Sequence, residues 1–320
     1  MKQRLFCLIS VLILMCASFS FADQTIVSIT TEDGSFPELN EQGFLDEGEF
    51  LYENTDEGVW RYCSPHLKIE IFRKSETKPK RTWYEAEIIS DGTDVFQMIP
   101  FDTEKWMTKT EYPYKIARAN KTIFAINNDY AQLRKKQKAR MGVIIRDGKV
   151  YSTNTKSRNK TPFPNLDCMA LYPDGNMEVF WSDERTADEY LEAGATDVLS
   201  FGPWLVRDGE INTGGVKKFA TTKQPRTAFG MVEPCHWFAI VAEGRVKRSN
   251  GVNTEWLATR MQELGCRTAF NLDGGETCSI VFMGHQLNKL KDNRNISSRT
   301  TADILGIGTS DLVRSPGSPW

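Results

Sequence analysis

The residues with the clearest chemical potential surround a paired-glycine turn late in the chain. Asn271 and Asp273 come at the end of a predicted strand, and Gly274 and Gly275 follow directly. Paired glycines are typical of a backbone that needs positive φ or a close approach to a ligand. A carboxylate there can act as a nucleophile or a general base, and the glycine N–H groups can approach an anion. The alternative is structural, because Asp-Gly-Gly between two strands is also an ordinary hairpin signal.

A second group of polar side chains follows another buried-type strand. Residues 123–126 are apolar, and Asn127, Asn128 and Asp129 come directly after them. On their own chemistry, these three residues are explained equally well as a cap and a turn. The sequence therefore offers two strand ends that each carry a carboxylate.

The elements around the glycine turn have to position it. Residues 237–241 have the pattern of a buried strand, and Thr254 begins a predicted helix that ends before Gly265. If the strands that flank this helix pair in parallel, the crossover is right-handed. Asp273 then stands at the carboxyl end of its strand, where open α/β sheets bind ligands.

Five separated segments resemble, in the right order, the phosphodiester glycosidase family. This family includes the uncovering enzyme, which removes N-acetylglucosamine from a sugar phosphodiester, and many secreted bacterial relatives. The matching segments are residues 127–130, 198–211, 225–230, 248–284 and 298–307. One departure is Asn128, which replaces a glycine of the family's first segment. The resemblance covers about residues 65–310 and implies a glycosidase that acts on sugar phosphodiesters.

The resemblance also implies roles for individual residues. Asp129 and Asp273 would stabilise the oxocarbenium-like sugar, with one of them acting as nucleophile or as the base that activates water. Arg226 completes the catalytic set, because a guanidinium can hold phosphate oxygens bidentately. The choice between retention and inversion depends on the separation of the carboxylates. The substrate-binding residues would be Asn127, Asn271, Gly274, Gly275, Glu276, Thr277 and Arg299.

Two residues near the turn leave alternatives open. Glu276 stands where many relatives carry glycine or glutamine, so it is either a third acidic group facing the substrate or a tolerated surface substitution. Three carboxylates would also suit a divalent cation, but no calcium-loop pattern supports one, and we expect no cofactor. Cys278 is interpreted as a buried small hydrophobic residue, because no histidine lies near it in the sequence to activate it.

The first 22 residues predict a secretory signal peptide. Lys2 and Arg4 precede an apolar run from Leu5 to Met15, and small residues lead up to cleavage after Ala22. The run is too short to span a bilayer, and no later segment is apolar for long enough. We therefore expect a protein that is secreted or periplasmic, without a transmembrane segment.

Composition limits the classes of partner. The formal net charge of −2 over 320 residues argues against a nucleic-acid partner. An odd number of widely spaced cysteines follows the signal peptide, without a Cys-x-x-Cys pair, so neither a zinc site nor a disulfide scaffold is predicted. No pattern predicts an oligomeric state.

The predicted fold class is α+β, with a mixed β-sheet core and helices packed on it. A single main domain is expected over residues 65–310, after an acidic, turn-rich N-terminal arm or small appended unit over residues 23–64. Residues 311–320 have the composition of a disordered tail. Asp-Gly pairs at 147–148 and 208–209 predict two hairpins.

The expected function is a secreted glycoside hydrolase. It would cleave a sugar, α-N-acetylglucosamine, from a sugar-1-phosphodiester of envelope or extracellular glycans. The alternative is a non-catalytic cell-envelope protein whose pocket binds phosphorylated glycans, but both acidic elements and both arginines are present, which favours the enzyme. A third option, cleavage of the P–O bond on the other side, predicts sugar-1-phosphate as the product.

Overall fold

The computed structural model describes residues 28–129, 142–154, 166–218, 222–290 and 299–315. The predicted signal peptide and residues 316–320 of the predicted tail lie outside these ranges. The strands are β1 (Ser28–Ile29), β2 (Glu49–Asn54), β3 (Val59–Cys63), β4 (Leu67–Thr77), β5 (Lys80–Ser90), β6 (Gln97–Pro100), β7 (Thr122–Asn127), β8 (Gly142–Arg146), β9 (Lys149–Asn154), β10 (Asp167–Leu171), β11 (Met177–Phe180), β12 (Asp197–Phe201), β13 (Trp204–Arg207), β14 (Glu210–Ile211), β15 (Arg226–Glu233), β16 (His236–Ala242), β17 (Thr268–Leu272), β18 (Ile280–Phe282), β19 (His285–Gln286) and β20 (Asp303–Thr309). The helices are α1 (Pro113–Ala119), α2 (Ala187–Glu192), α3 (Thr213–Lys218) and α4 (Thr254–Glu263), and a 3₁₀ turn covers Gly275–Thr277.

Three sheets contain these strands. The first sheet has the order β1-β2-β3-β4-β5-β16-β15-β17-β13-β14, the second β11-β10-β12-β8-β9, and the third β19-β18-β7-β20-β6. Neighbouring strands are antiparallel wherever their register is defined, except for the short parallel pair β1 and β2. The α+β prediction is therefore confirmed only in part, because sheets dominate the described residues and their helices are few and short.

The three sheets share one apolar core. Ile69 of the first sheet, Leu199 of the second and Ile126 of the third are all fully buried in the same cluster. The alternation along β4 explains this locally, because Leu67, Ile69 and Ile71 point to the covered face. Burying such side chains is the main favourable contribution to folding.

Residues 49–63 belong to the first sheet. β3 pairs with β4 in antiparallel register from Val59 to Cys63, and Trp60 and Tyr62 are buried against the core. The acidic, turn-rich composition of residues 23–64 predicted an N-terminal arm or small appended unit instead. Near the other terminus, Val313 of the predicted tail packs against the same core.

Helix α4 forms as predicted and covers the other face of the first sheet. Its Leu257 and Met261 are fully buried against strand residues such as Ile240. The N-cap is Asn253 rather than Thr254, since the Asn253 side chain accepts the N–H of Trp256 at 2.9 Å. No helix in the described ranges is long and apolar enough to cross a membrane.

The sequence suggested two arrangements around the glycine turn, namely parallel pairing of the strands that flank helix α4 and a hairpin at the turn itself. The structure has neither. β16 and β17 run in the same direction, but both pair with β15, which lies between them. β17 belongs to the first sheet, whereas β18 pairs with β7 in the third. The hairpin interpretation of the turn is therefore wrong, because the turn carries the chain from one sheet to another.

Candidate active site

The site is built where strands from two sheets end side by side. The N–H of Asp273, after β17, donates to the carbonyl of Asn128, after β7, at 3.3 Å. The Asn127 side chain donates to the carbonyl of Asp273 at 2.9 Å. Two polar segments almost 150 residues apart are thus joined by hydrogen bonds.

The side-chain amide of Asn127 connects these strand ends through hydrogen bonds of both its nitrogen and its oxygen. Besides Asp273, its Nδ2 donates to the carbonyl of Asn128 at 3.1 Å. Its Oδ1 accepts the hydroxyl of Thr227 at 2.6 Å and the N–H of Ser279 at 3.0 Å. Both donors and both lone pairs of the amide are engaged. Asn127 therefore positions its neighbours, whereas the resemblance implied that it binds the substrate.

Asp129 is fully buried beside a buried arginine. Its Oδ2 accepts the N–H of Ser200 at 2.9 Å and lies 3.3 Å from Nη2 of Arg146. Arg146, at the end of β8, also donates from Nε to Oδ2 of Asp303 at 2.8 Å. Asp129, Arg146 and Asp303 thus form a triad, which we call the buried ion triad, and none of its side chains is exposed.

The charges of the buried ion triad are mutually dependent. Burial by itself would lower the pKa of Arg146, but the carboxylates of Asp303 and Asp129 outweigh it and raise the pKa above its ordinary value. Asp303 accepts further hydrogen bonds from Trp106 Nε1 at 2.8 Å and from the Asn128 amide. The guanidinium therefore stays charged and pairs with both carboxylates.

Arg146 and Asp303 are site residues that were not predicted from the sequence. Asp303 lies in the last of the matching segments, and Arg146 adjoins an Asp-Gly hairpin turn. One feature of the sequence could have indicated Arg146. It directly follows the wholly apolar run 143–145, and a charged residue in such a buried strand needs a buried partner of opposite charge.

Asp273 is the other carboxylate of the site and is 6% exposed. Burial raises its pKa to about 6, against the opposing effects of the Thr277 hydroxyl and the Arg299 guanidinium. The negative charge of Asp129 also contributes to this increase, so the two carboxylates lie close enough to interact. A carboxyl group that titrates near neutral pH is suited to proton transfer.

The two glycines bring the turn against β15. Gly275 has a φ of +67° and donates its N–H to the carbonyl of Pro225 at 2.9 Å. A Cβ on Gly274 would lie 2.9 Å from that same carbonyl oxygen. The N–H of Gly274 donates to Oδ1 of Asp273 at 2.8 Å. Both N–H groups are thus used within the protein, which corrects the expectation that they face an anion.

Three arginines surround the turn. Arg299 donates to the Thr277 hydroxyl at 3.2 Å and interacts with the charge of Asp273. Arg226, at the start of β15, donates to the carbonyl of Val252 at 3.1 Å, and burial lowers its pKa. Arg245, which the sequence analysis did not identify, lies 3.7 Å from the position of a Cβ on Gly275. The site is therefore rich in groups that can bind an anion.

The other predicted residues are distributed around these groups. Asn271 is 2% exposed and donates to the carbonyl of Gly202 at 2.9 Å, so it is tied to the neighbouring turn. Glu276 is partly exposed within the 3₁₀ turn. Cys278 is fully buried, and burial raises the pKa of its thiol to about 12, so it is no candidate nucleophile. Within the described residues, no group of three or more His, Cys, Asp or Glu side chains is placed to hold a metal ion.

Comparison with known proteins identifies similar sequences and folds. The sequence model of the phosphodiester glycosidase family matches residues 120–308. The chain is 28% identical, over 206 residues, to the SPbeta prophage-derived uncharacterized protein YomE of Bacillus subtilis (strain 168). That match covers 64% of this chain and 30% of the relative, so the chain spans less than a third of that relative's length.

Two solved structures share the fold. The catalytic domain of zebrafish N-acetylglucosamine-1-phosphodiester alpha-N-acetylglucosaminidase, auto-inhibited by its pro-peptide, superposes with a TM-score of 0.60 at 20% identity and covers 77% of this chain and 85% of that one. A hypothetical protein from Synechocystis gives a TM-score of 0.54 at 12% identity, covering 76% of this chain and 62% of that one.

Proposed function

Because the chain belongs to the phosphodiester glycosidase family, we propose that it is a secreted hydrolase that cleaves a sugar from a sugar-1-phosphodiester. The sugar we propose is α-N-acetylglucosamine, which the name of the zebrafish relative specifies, and the acceptor is an envelope or extracellular glycan. The observation that carries the proposal is Asp273, a nearly enclosed carboxyl group. Burial raises its pKa to about 6, and the positive charge of Arg299 opposes this increase.

Asp273 is the carboxylate we propose for the chemical step. It retains some exposure, whereas Asp129 is wholly enclosed between Arg146 and the backbone of Ser200. In its ionised form Asp273 takes a proton from water as the water attacks the anomeric carbon. Asp129 acts through its charge, which adds to the effect of burial in raising the pKa of Asp273 and which stabilises the cationic sugar.

The departing group determines what else the site has to provide. A phosphate monoester anion leaves with little protonation, so a strong general acid is less necessary than in the hydrolysis of an ordinary glycoside. Cationic groups that hold the phosphate oxygens contribute more. Arg299 and Arg226 serve this role in the proposal, with Arg245 beside them at the turn.

The experiment that tests the proposal identifies which bond is cleaved. Purified protein is incubated with methyl α-N-acetylglucosaminyl phosphate in ¹⁸O-labelled water. We expect free N-acetylglucosamine that carries the label, together with unlabelled methyl phosphate. Asp273→Asn serves as the matched control, because it preserves the size of the side chain and removes the base.

Other products would contradict the proposal. N-acetylglucosamine-1-phosphate as the product would assign the protein to P–O cleavage. Saturable binding without any release, from this substrate and from a panel of other glycosyl phosphodiesters, would favour the alternative of a non-catalytic protein that binds phosphorylated glycans.

A further inference from the structure

A cationic cavity lies on the first sheet at the end of the hairpin formed by β4 and β5. It has a volume of about 340 Å³. Four of its lining side chains are cationic, namely Arg73, Lys80, Lys247 and Arg248, and Glu76 is acidic. The other lining residues, which include Thr82, carry hydroxyl groups. The lining thus combines an excess of positive charge with hydrogen-bonding hydroxyls, the combination that binds phosphate groups.

The walls of this cationic cavity are fixed to each other. The N–H of Thr82 on β5 donates to the hydroxyl of Ser249 at 3.1 Å, and the N–H of Asn250 donates to the carbonyl of Lys80 at 3.0 Å. The Ser249 hydroxyl in turn donates to the carbonyl of the buried Glu243 at 2.7 Å. The loop 243–251 and the hairpin therefore hold the cavity open before any ligand arrives, which lowers the entropic cost of binding.

The cations of the cavity differ in their contacts and in their exposure. Arg248 donates from Nε to the buried carboxylate of Glu243 at 2.6 Å, so its charge is balanced inside the protein. Arg73 donates to the backbone carbonyl of Asp56 at 2.9 Å, which leaves its charge uncompensated by that contact. Lys80 and Lys247 are the exposed cations among the lining residues. The lysines are thus the residues to change in a test.

The loop that forms one wall also reaches the candidate active site. Arg245 is held by Gln224, whose Oε1 accepts its Nε–H at 2.8 Å, and its guanidinium lies 3.7 Å from the position of a Cβ on Gly275. Lys247 follows two residues later, so the two Cα atoms are at most about 7 Å apart. The loop that contributes Lys247 and Arg248 to the cationic cavity therefore also carries Arg245, one of the arginines that would bind the phosphate of the substrate.

Building on the proposed function, we propose that the cationic cavity is an acceptor subsite for a polymer with repeating phosphate groups. The scissile phosphodiester lies at Arg226, Arg245 and Arg299, and the next phosphate of the same chain lies in the cavity. The lysines bind as flexible point charges, which tolerate variation in the groups between the phosphates. The natural acceptor is then a phosphate-repeat polymer rather than a neutral glycan.

Direct binding tests this subsite without requiring turnover. Calorimetry measures the affinity of the full-length protein for a poly(glycerol phosphate) oligomer at low and at high salt. We expect binding that weakens with salt, since exposed charges are screened. The double variant Lys80→Glu with Lys247→Glu should bind about tenfold more weakly, because each exposed ion contact contributes roughly a factor of 1.5 to 5. Lys149→Glu, an exposed change on the hairpin of β8 and β9, is the control and should bind as the unmodified protein does.

The outcomes separate this inference from the proposed function. Asp273→Asn should bind the oligomer at least as tightly as the unmodified protein, because it removes a negative charge near Arg299, even though its release of sugar from a glycosyl phosphodiester is expected to fall by about 10² to 10⁴. Unchanged binding by the double lysine variant would overturn the subsite. Equally tight binding of oligogalacturonate, a carboxylate polymer, would overturn the assignment to phosphate repeats. Cavity-dependent binding together with no hydrolysis of any glycosyl phosphodiester would refute the enzyme and leave the subsite standing.

Discussion

At the scale of single residues, the two carboxylates of the site lie in different environments. Asp129 faces a buried arginine, whereas Asp273 is buried beside groups that only partly offset the loss of hydration. Where two nearby carboxylates have different environments, they take different roles. The structure thus provides a physical reason to assign the proton transfer to Asp273.

The pH dependence of activity should report Asp273. Its pKa is raised to about 6, and the proposed base acts in its ionised form, so kcat/KM should fall about tenfold per pH unit below that value. Asp273→Asn should lose activity by about 10² to 10⁴ and should show no such decrease. Initial rates with a glycosyl phosphodiester between pH about 4 and 8 measure both effects. A profile that is flat through pH 6 in the unmodified protein would contradict the assignment.

The buried ion triad predicts a large effect on stability. Arg146→Met leaves Asp129 and Asp303 buried without their shared cation, which should lower the free energy of unfolding by ~3–5 kcal/mol. The control is Arg207→Met, because Arg207 pairs with Glu184 at 2.7 Å with about a third of each side chain exposed. That pair should contribute at most ~1 kcal/mol. Urea denaturation of both variants makes the comparison, and similar losses would refute the role of the triad.

At the scale of elements, the glycine turn links two sheets. β17 ends in the first sheet, the 3₁₀ turn follows, and β18 continues in the third. The turn can lie against Pro225 only because Gly274 has no side chain. The position of Asp273 therefore depends on backbone contact between the turn and the start of β15.

A methyl group on this backbone should separate the turn from β15. Gly274→Ala places a Cβ 2.9 Å from the carbonyl oxygen of Pro225, so the turn has to move by a few tenths of an ångström. We expect kcat/KM to fall by roughly tenfold to a hundredfold, since small misplacements of a catalytic group are costly. Gly214→Ala on helix α3 is the control, because a Cβ there meets no atom within 4 Å. Equal activity of the two variants would show that the turn tolerates displacement.

Short sequence patterns correctly predicted hairpins and a helix, because interactions between neighbouring residues determine these elements. The Asp-Gly hairpins form with positive φ at Asp147 and Asp208, and helix α4 forms between Asn253 and Gly265. Neighbouring residues decide these structures, so a short stretch of sequence contains the information. β3 was missed because its alternating pattern covers only five residues among many charged ones.

At the scale of the whole molecule, the unpredicted features are contacts between distant segments. Arg146 and Asp303 are 157 residues apart in the chain, and Asn127 meets Thr227 across 100 residues. No local pattern indicates such a contact, since it depends on which strands become neighbours. The sequence therefore singled out Asp129 and Asp273, but not Arg146 and Asp303, which form the buried ion triad with Asp129.

The stability of the whole molecule should also reflect the buried carboxyl group. In the folded protein the pKa of Asp273 is raised to about 6, whereas an unfolded Asp has a pKa of about 3.9. The folded state therefore binds more protons between these values, and the free energy of unfolding decreases as the pH rises through this window. Asp273→Asn should remove this decrease, so its stability relative to the unmodified protein should rise by up to ~3 kcal/mol from pH about 4 to 7. Urea titrations across this range measure the free energy of unfolding of both proteins, and Asp183→Asn, which changes an exposed carboxylate, is the control. If the free energy of unfolding had the same pH dependence in all three proteins, Asp273 would not be responsible for the decrease.

The junction of strand ends at Asn127 has a consequence for the maturation of the protein. One amide holds partners from β15, from the turn after β17 and from the segment before β18, and the neighbouring triad adds β8 and β20. An incompletely folded chain lacks some of these partners and therefore has no working catalytic centre. Under the proposed function, turnover of a glycosyl phosphodiester should then appear during refolding only after strands of all three sheets have met at this junction.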